Sequence, residues 1–111
     1  MSAKFEVTKS PNGEFHFHLK AANGQIILTS QEYKSKAAAE NGIESVKTNA
    51  PHDERYERKV DHAGHFRFNL KAANHEVIGS SQGYKEEEGR EKGIAAVKAD
   101  APIAPVVDET K

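Results

Sequence analysis

The sequence predicts an α+β fold: two tandem β-β-β-α repeats and a C-terminal strand form one antiparallel-rich sheet, with both helices packed on one face. Three observations carry this. FHFHLKAAN at 15–23 returns as FRFNLKAAN at 66–74, and between Gly13 and Pro51 an ungapped offset of 51 gives 20 identities in 39 positions. Such self-similarity at fixed period marks a duplicated unit. Within each copy the apolar period changes from two, the period of a strand, to that of a helix. The offset also runs past the second copy: Lys4-Phe5-Glu6 maps to Arg55-Tyr56-Glu57 and then to Val106-Val107-Asp108, the first strand of a third copy.

Each element follows in order. Phe5 and Val7 alternate with Lys4, Glu6 and Thr8, the pattern of a half-buried strand. After the turn residues Pro11-Asn12-Gly13, Phe15, Phe17 and Leu19 alternate with His16, His18 and Lys20, and Phe66, Phe68 and Leu70 repeat this against Arg67, Asn69 and Lys71. A third strand runs through about Ile26 to Thr29, matched by Val77 to Ser80. The hairpin between them has two candidate loops, a two-residue Asn-Gly turn or a three-residue turn ending in a left-handed residue. A one-residue slip turns every side chain to the other face. The longer loop places Ile27 opposite Leu19 on the apolar side and is favoured because Ile27 recurs as Ile78; His75, which replaces Gly24, tolerates the left-handed region better than most residues.

The helix follows. Ala39, Ile43, Val46 and Ala50 form one stripe, as do Ile94, Val97 and Ala101. Ser35 can cap the first helix and Pro51 lies just past its end. Glu86, Glu87 and Glu88 suit the positive end of the second helix dipole. Gly42 and Gly93 each cost about 1 kcal/mol relative to alanine in a helix interior. A glycine kept there twice predicts helix backbone lying close against the sheet.

The expected units are 1–54 and 55–111, the second carrying the closing C-terminal strand, fused as one pseudo-dimeric domain. A single unit of some 50 residues is marginal, since below roughly 70–80 residues one core rarely supplies more than 3–5 kcal/mol. Its open sheet edge would also invite aggregation. The strand at 55–60 is expected to close the first unit while opening the second, and the segment at 106–110 to close the second. The duplication thus reads as a dimer written into one chain, monomeric as a tandem.

Bulk composition excludes much. Lys+Arg (16) and Asp+Glu (17) nearly cancel, leaving a formal charge of −1, which argues against a dedicated nucleic-acid or membrane-surface binder. The absence of cysteine removes disulfides and thiol chemistry. The polar N-terminus has no apolar core of a signal peptide, and Ile26-Ile27-Leu28 is far short of the roughly 20 residues of a membrane helix. A soluble, cytoplasmic protein without a membrane partner is the expectation.

FxFxLKAAN, the Ser-Gln-x-Tyr before each helix, and ENGIESVKTNAP with its partner EKGIAAVKADAP are similar to motifs of the YegP-like family, a group of small uncharacterised bacterial proteins. The resemblance covers nearly the whole chain, and both copies carry the full set. It implies a three-strand, helix, strand fold in which two units form one sheet with exchanged terminal strands. It implies no activity, substrate or site. Two departures stand out: Arg58 where copy one has Val7, and Gly79 where it has Leu28.

Candidate sites are few. His16 and His18 share one side of a strand, a spacing that can hold a metal, but copy two has Arg67 and Asn69 there, and the pair reads as solvated; no metal or cofactor is expected. His52, His62, His65 and His75 read as surface. Ser30, Gln31 and Tyr33 recur as Ser81, Gln82 and Tyr84 before each helix, forming the candidate small-ligand segment, where a hydroxyl and an amide could hold an anion at a helix N-terminus. The structural alternative is that they satisfy orphan amides while the tyrosine packs beneath the helix. No nucleophile elbow or triad spacing is present, so no enzyme is expected. On the outer sheet face Lys4, Lys20, Arg55, Lys59, Arg67 and Lys71 project with Glu6 and Glu57, six positive minus two negative, or +4. This is the candidate interaction face, for an acidic protein or, alternatively, for weak sequence-independent nucleic-acid binding. Its solubilising role is the structural alternative. The phenylalanines lie on the opposite face and cannot stack bases.

Overall fold

The computed structural model describes residues 3–110. The chain runs β1 (Lys4–Lys9), β2 (Phe15–Lys20), β3 (Ile26–Thr29), α1 (Lys36–Asn49), a 3-10 turn (Asp53–Arg55), β4 (Tyr56–Val60), β5 (Phe66–Lys71), β6 (Val77–Ser80), α2 (Glu87–Asp100), a second 3-10 turn (Ala101–Ile103) and β7 (Val106–Asp108). The seven strands make one sheet in the order β4-β5-β6-β3-β2-β1-β7. Every pairing is antiparallel except β1 with β7.

Sequence explains these elements locally. Ser35 caps α1, its Oγ accepting from Ala38 N–H at 3.1 Å. In α2 the corresponding Glu86 sits at the cap position without a side-chain bond, and Glu87 and Glu88 occupy the first turn. The apolar stripes Ala39-Ile43-Val46-Ala50 and Ile94-Val97-Ala101 are buried. They press on Phe5, Phe17, Leu19, Phe68 and Leu70, all fully buried on the sheet. The repeat is visible in the core: Phe5 meets Phe17 edge-on at 6.0 Å, and Tyr56 meets Phe68 in the same way at 5.8 Å. Each helix touches strands of both halves, α1 reaching β5 and β6 as well as β1 and β2, and α2 reaching β3 as well as β5.

The hairpins settle the register in an instructive way. The loop is the longer one: Ala21 N–H donates to Gln25 O at 2.8 Å, and Gly24 has φ +87°. Its counterpart His75 has φ 72°. Yet Ile27 is not opposite Leu19. A β-bulge between Leu19 and Lys20 shifts the ladder so that Leu19 faces Leu28 and Lys20 faces Ile26, and β5–β6 repeats it with Leu70 facing Gly79. The bulge leaves two residues against one. Ile27 and Leu28 are therefore both buried, at 5% and 1% exposure.

The halves join in the middle and at the ends. Thr29 pairs with Ser80, and these two are equivalent under the offset of 51, so a pseudo-twofold axis passes between them. Strand exchange differs from the expected closure. β4 leaves α1 and pairs only with β5 of the second half, while β7 leaves α2 and pairs only with β1 of the first. Neither strand closes the unit that its helix belongs to.

This topology accounts for both departures between copies. Val7 lies between β2 and β7 and is 1% exposed, whereas Arg58 lies on the outermost strand, where its guanidinium reaches Asp53 and Glu91 at 3.0 Å. A charged residue on an edge strand also discourages unwanted pairing. Gly79 faces Leu28 beside the pseudo-twofold axis, and a Cβ on it would lie 2.7 Å from Leu28 Cγ. One leucine fills a space that has no room for two.

The repeated helix glycines also find their reason. A Cβ at Gly42 would lie 2.5 Å from Tyr33 Oη and 2.9 Å from Phe17 Cε2; at Gly93 it would lie 2.5 Å from Tyr84 Oη and 3.3 Å from Phe68 Cε2. Gly42→Ala should therefore destabilise the fold, because overpacking at about 1–3 kcal/mol outweighs the gain in helix propensity of roughly 1 kcal/mol. Chemical denaturation measures the balance. A midpoint at or above the wild-type value would contradict the close approach.

Candidate interaction face

The sheet side away from the helices carries the residues that alternate with the buried apolar ones on β1, β2 and β5. In the first half these are Lys4, Glu6 and Thr8 on β1 facing Lys20, His18 and His16 on β2. Glu6 is the unexpected member. It is 4% exposed, because β7 lies against β1 with Val107 beside it and three longer side chains close over it. His18 Nε2 lies 2.7 Å from one carboxylate oxygen, Lys20 Nζ 3.1 Å from the same oxygen, and Lys4 Nζ 3.2 Å from the other. Burial alone would raise the Glu6 carboxyl, but the hydrogen bonds from His18, Lys20 and Lys4 outweigh it and hold it down at about 2. Alternation marks Glu6 as outward-facing, which is correct; only the parallel strand beside it makes it buried.

His16 and His18 stand with ring centroids 6.2 Å apart and are engaged separately. His16 contacts Thr8 Oγ1 at 3.0 Å, Ser10 Oγ at 2.9 Å and Glu32 at 3.2 Å, while His18 belongs to Glu6. No group of three or more metal-ligating side chains converges among the described residues.

The second half repeats the face with different pairings. Glu57 is exposed because β4 is the edge; Lys71 reaches it at 3.1 Å and Asn69 at 2.9 Å. The Asn69 and Lys71 contacts pull its carboxyl below the usual range. Arg67 turns to Asp61 at 2.6 Å, and the Asp61 carboxyl is lowered to about 2, chiefly by that guanidinium. Asp61 belongs to the loop, so alternation along the strands did not reveal it. Arg55 sits in the 3-10 turn ahead of β4 and not in the strand itself, lining a cleft with Lys71, Ala72 and His75. Lys59 is exposed, facing Arg67 across the ladder.

The six cations thus fall into two groups. Lys4, Lys20, Arg67 and Lys71 each have a carboxylate partner within 3.2 Å. Arg55 and Lys59 make no ion pair among the described residues. Between the two halves the face has no long charged side chains: Ile26 and Val77 are 41% and 38% exposed, with Thr29 and Ser80 between them.

The candidate small-ligand segments meet at the same place. Ser30, Gln31 and Ser81 line a shallow cleft of about 280 Å³ together with Thr29, Val77, Gly79 and Ser80. Their hydroxyls are already committed. Ser30 Oγ accepts from Phe17 N–H at 2.9 Å and donates to Gln31 O at 2.7 Å; Ser81 makes the same two bonds with Phe68 and Gln82. Tyr33 is tied to Phe15 by two backbone bonds and stacks on Phe17 at 6.2 Å, and burial raises its phenol. Tyr84 is tied to Phe66 likewise. Gln31 and Gln82 are exposed. The recurring serines serve the backbone of β2 and β5.

No helix among the described residues is long and apolar enough to cross a membrane. The family model for a domain of unknown function, DUF1508, matches residues 10–57 and again 61–108. Each match begins ahead of the β2 or β5 hairpin; the first ends at Glu57, two residues into β4, and the second at Asp108, the end of β7. The chain is 54% identical to the UPF0339 protein YegP of Escherichia coli K12 over 110 residues, covering 99% of this chain and all of that one. It is 56% identical to the UPF0339 protein encoded in the ptx operon 5′ region of Stutzerimonas stutzeri, covering 97% of both. The solution NMR structure of the Escherichia coli protein of unknown function YegP superposes with a TM-score of 0.93 over 99% of this chain and 95% of that one, at 54% identity. That of a UPF0339 protein from Shewanella oneidensis gives 0.93 at 46% identity, over 99% and 93%. The resemblance read from the motifs thus holds across the full chain, and so does the expected fold.

Proposed function

The chain belongs to the DUF1508 family, whose unit it carries twice, and we propose that it is a non-enzymatic interaction module whose helix-free sheet face docks an acidic segment of a partner protein. The supporting observation is the distribution of unpaired charge. Most cations of the face are neutralised within the chain, whereas half-buried Arg55 and exposed Lys59 make no ion pair among the described residues, and Arg55 shares a cleft with Lys71 and Glu54. Across β5 from them lies the less charged centre at Ile26 and Val77. An extended segment with carboxylates toward β4 and apolar residues over β3 and β6 is complementary to that pattern. The tandem pseudo-dimer acts as a single monomeric unit in this reading.

The test uses Arg55→Glu with Lys59→Glu, two positions whose reversal breaks no ion pair. Reversing Lys20 instead would place a carboxylate beside buried Glu6 and confuse binding with folding. A fluorescent twelve-residue glutamate-rich peptide should bind the wild type, weaken as salt rises past the roughly 8–10 Å screening regime of 0.1–0.15 M, and lose at least tenfold in the double variant at unchanged melting temperature. Tighter binding of a single-stranded oligonucleotide than of the peptide would replace this reading with nucleic-acid binding. Absence of both would remove it.

A further inference from the structure

The strand at the first-half edge is the shortest of the sheet. β7 has three residues and runs parallel to β1, bounded by Phe5 N–H donating to Pro105 O and Glu109 N–H donating to Val7 O, both at 2.8 Å. Its repeat counterpart β4 has five residues and a core anchor: Tyr56 is 6% exposed, and its hydroxyl donates to Ala50 O at 2.8 Å. No side chain within β7 is as deeply buried; the nearest core residue is Ala104, 2% exposed, two positions ahead of the strand. Val107, at the tyrosine position, is half-buried, and Val106 is 42% exposed.

Two features distinguish the β1 edge. Lys36, at the start of α1, holds Asp108 at 2.7 Å, and that contact, with those from Thr110, pushes the Asp108 carboxyl well below the ordinary range. In the second half Glu87 stands at the position of Lys36, so the cation belongs to the end where a parallel strand docks. Val106 also leaves open space beside it. A cleft of about 230 Å³ remains between it and α1, with Ile43 at its floor and Glu40 and Glu44 at its rim. A larger aliphatic side chain fits this space, and the acidic rim disfavours a carboxylate there.

We propose that β7 is a displaceable internal ligand, and that the outer edge of β1 is a docking site for an extended protein segment running parallel to it. That segment carries a bulky aliphatic residue over Ile43 and a carboxylate two residues later on Lys36. The mode is strand addition: the β1 backbone supplies affinity, and two side-chain positions supply selectivity. The site is on a sheet edge and stands whether or not the bare face binds anything. While β7 occupies it, apparent affinity for a competing segment falls by the fraction of molecules in which the edge is free.

The probe is a labelled peptide, APIVDET, copying residues 104–110 with isoleucine for Val106. In full-length protein, Val107→Pro deprives β7 of a ladder donor and should tighten peptide binding at least tenfold over wild type. Adding Lys36→Glu, or using APIVKET, should abolish that gain. Equal affinity for wild type and Val107→Pro, or binding indifferent to Lys36, overturns the proposal. Hydrogen exchange on the wild type decides the matter if the proline variant does not fold. The Val107 and Glu109 amides should exchange at least a hundredfold faster than those of Phe17 and Leu19, through local opening; equal rates would show that β7 never leaves.

Discussion

Gly79→Leu is expected to be the most damaging single substitution in the sheet, although it makes the two repeats more alike. Leu28 and Gly79 are equivalent positions flanking the pseudo-twofold axis, and a Cβ on Gly79 already falls within 3.0 Å of three Leu28 side-chain atoms. Leu28 is 1% exposed, with β2 beside it and helices above, so it has nowhere to retreat. Overpacking of this kind costs about 1–3 kcal/mol and occasionally more. Leu28→Gly should cost about as much as a large-to-small core change, roughly 2–5 kcal/mol. The informative variant is the exchange, Leu28→Gly with Gly79→Leu, which moves the knob to the other side of the axis. It should recover at least half of the summed loss, a coupling well above the ~0.5 kcal/mol within which distant sites add. Additive losses in urea denaturation would show that the two residues do not share one space.

Glu6→Gln is the second large effect. Glu6 takes both lysines and His18 of the first-half face on one buried carboxylate, and hydrogen bonds to charged groups contribute about 1.5–3 kcal/mol each way in such settings. The lysines are 42% and 33% exposed and can turn to water. His18, at 14%, has less freedom. A loss of about 1–3 kcal/mol at neutral pH is expected on that basis. The pH dependence identifies the cause. The folded carboxyl titrates near 2 against 4.5 in the unfolded chain, so its contribution is present above pH 4.5 and disappears as pH falls toward 2. The gap in stability between wild type and variant should be widest above pH 5 and close near pH 2. A gap that is constant with pH would assign the loss to packing instead of charge.

Much of this fold was legible because strands and helices announce themselves by period, and the duplication announces itself by identity. Phe5, Phe17, Leu19, Ile43 and Val46 were placed in the core by alternation or by helical spacing alone. What escaped were features set by neighbours distant in sequence. The bulge at Leu19 and Lys20 lets two consecutive residues, Ile27 and Leu28, point inward, a result that no strict period-two reading allows. The identity of the strand beside β1 depends on where α2 delivers residue 106, and the burial of Glu6 depends on that strand. Arg58 and Gly79 stand out in the sequence as departures between the copies; the structure places one at an edge and the other at the axis. At the candidate face, strand alternation covers Lys4, Lys20, Lys59, Arg67 and Lys71, whereas Arg55 lies in a 3-10 turn; Asp61 comes from a loop and neutralises Arg67, so charge counted along strands overstates the field. The serines of the repeated Ser-Gln segments were visible as unexplained identities, and their partners, the amides of Phe17 and Phe68, lie 13 residues away.

The central claim is a single sheet in which the two halves meet at β3 and β6 and exchange their terminal strands, leaving one side without helices. Nuclear Overhauser spectroscopy on the isotopically labelled full chain tests it most directly. Cross-strand contacts between Thr29 and Ser80, between Phe5 and Val106, and between Tyr56 and Leu70, with no contact from Tyr56 or its neighbours to β1, are the expected set. Absence of the Thr29–Ser80 contact, or strand contacts from residues 56–60 to β1, would mean that the halves close separately, and the account would fail.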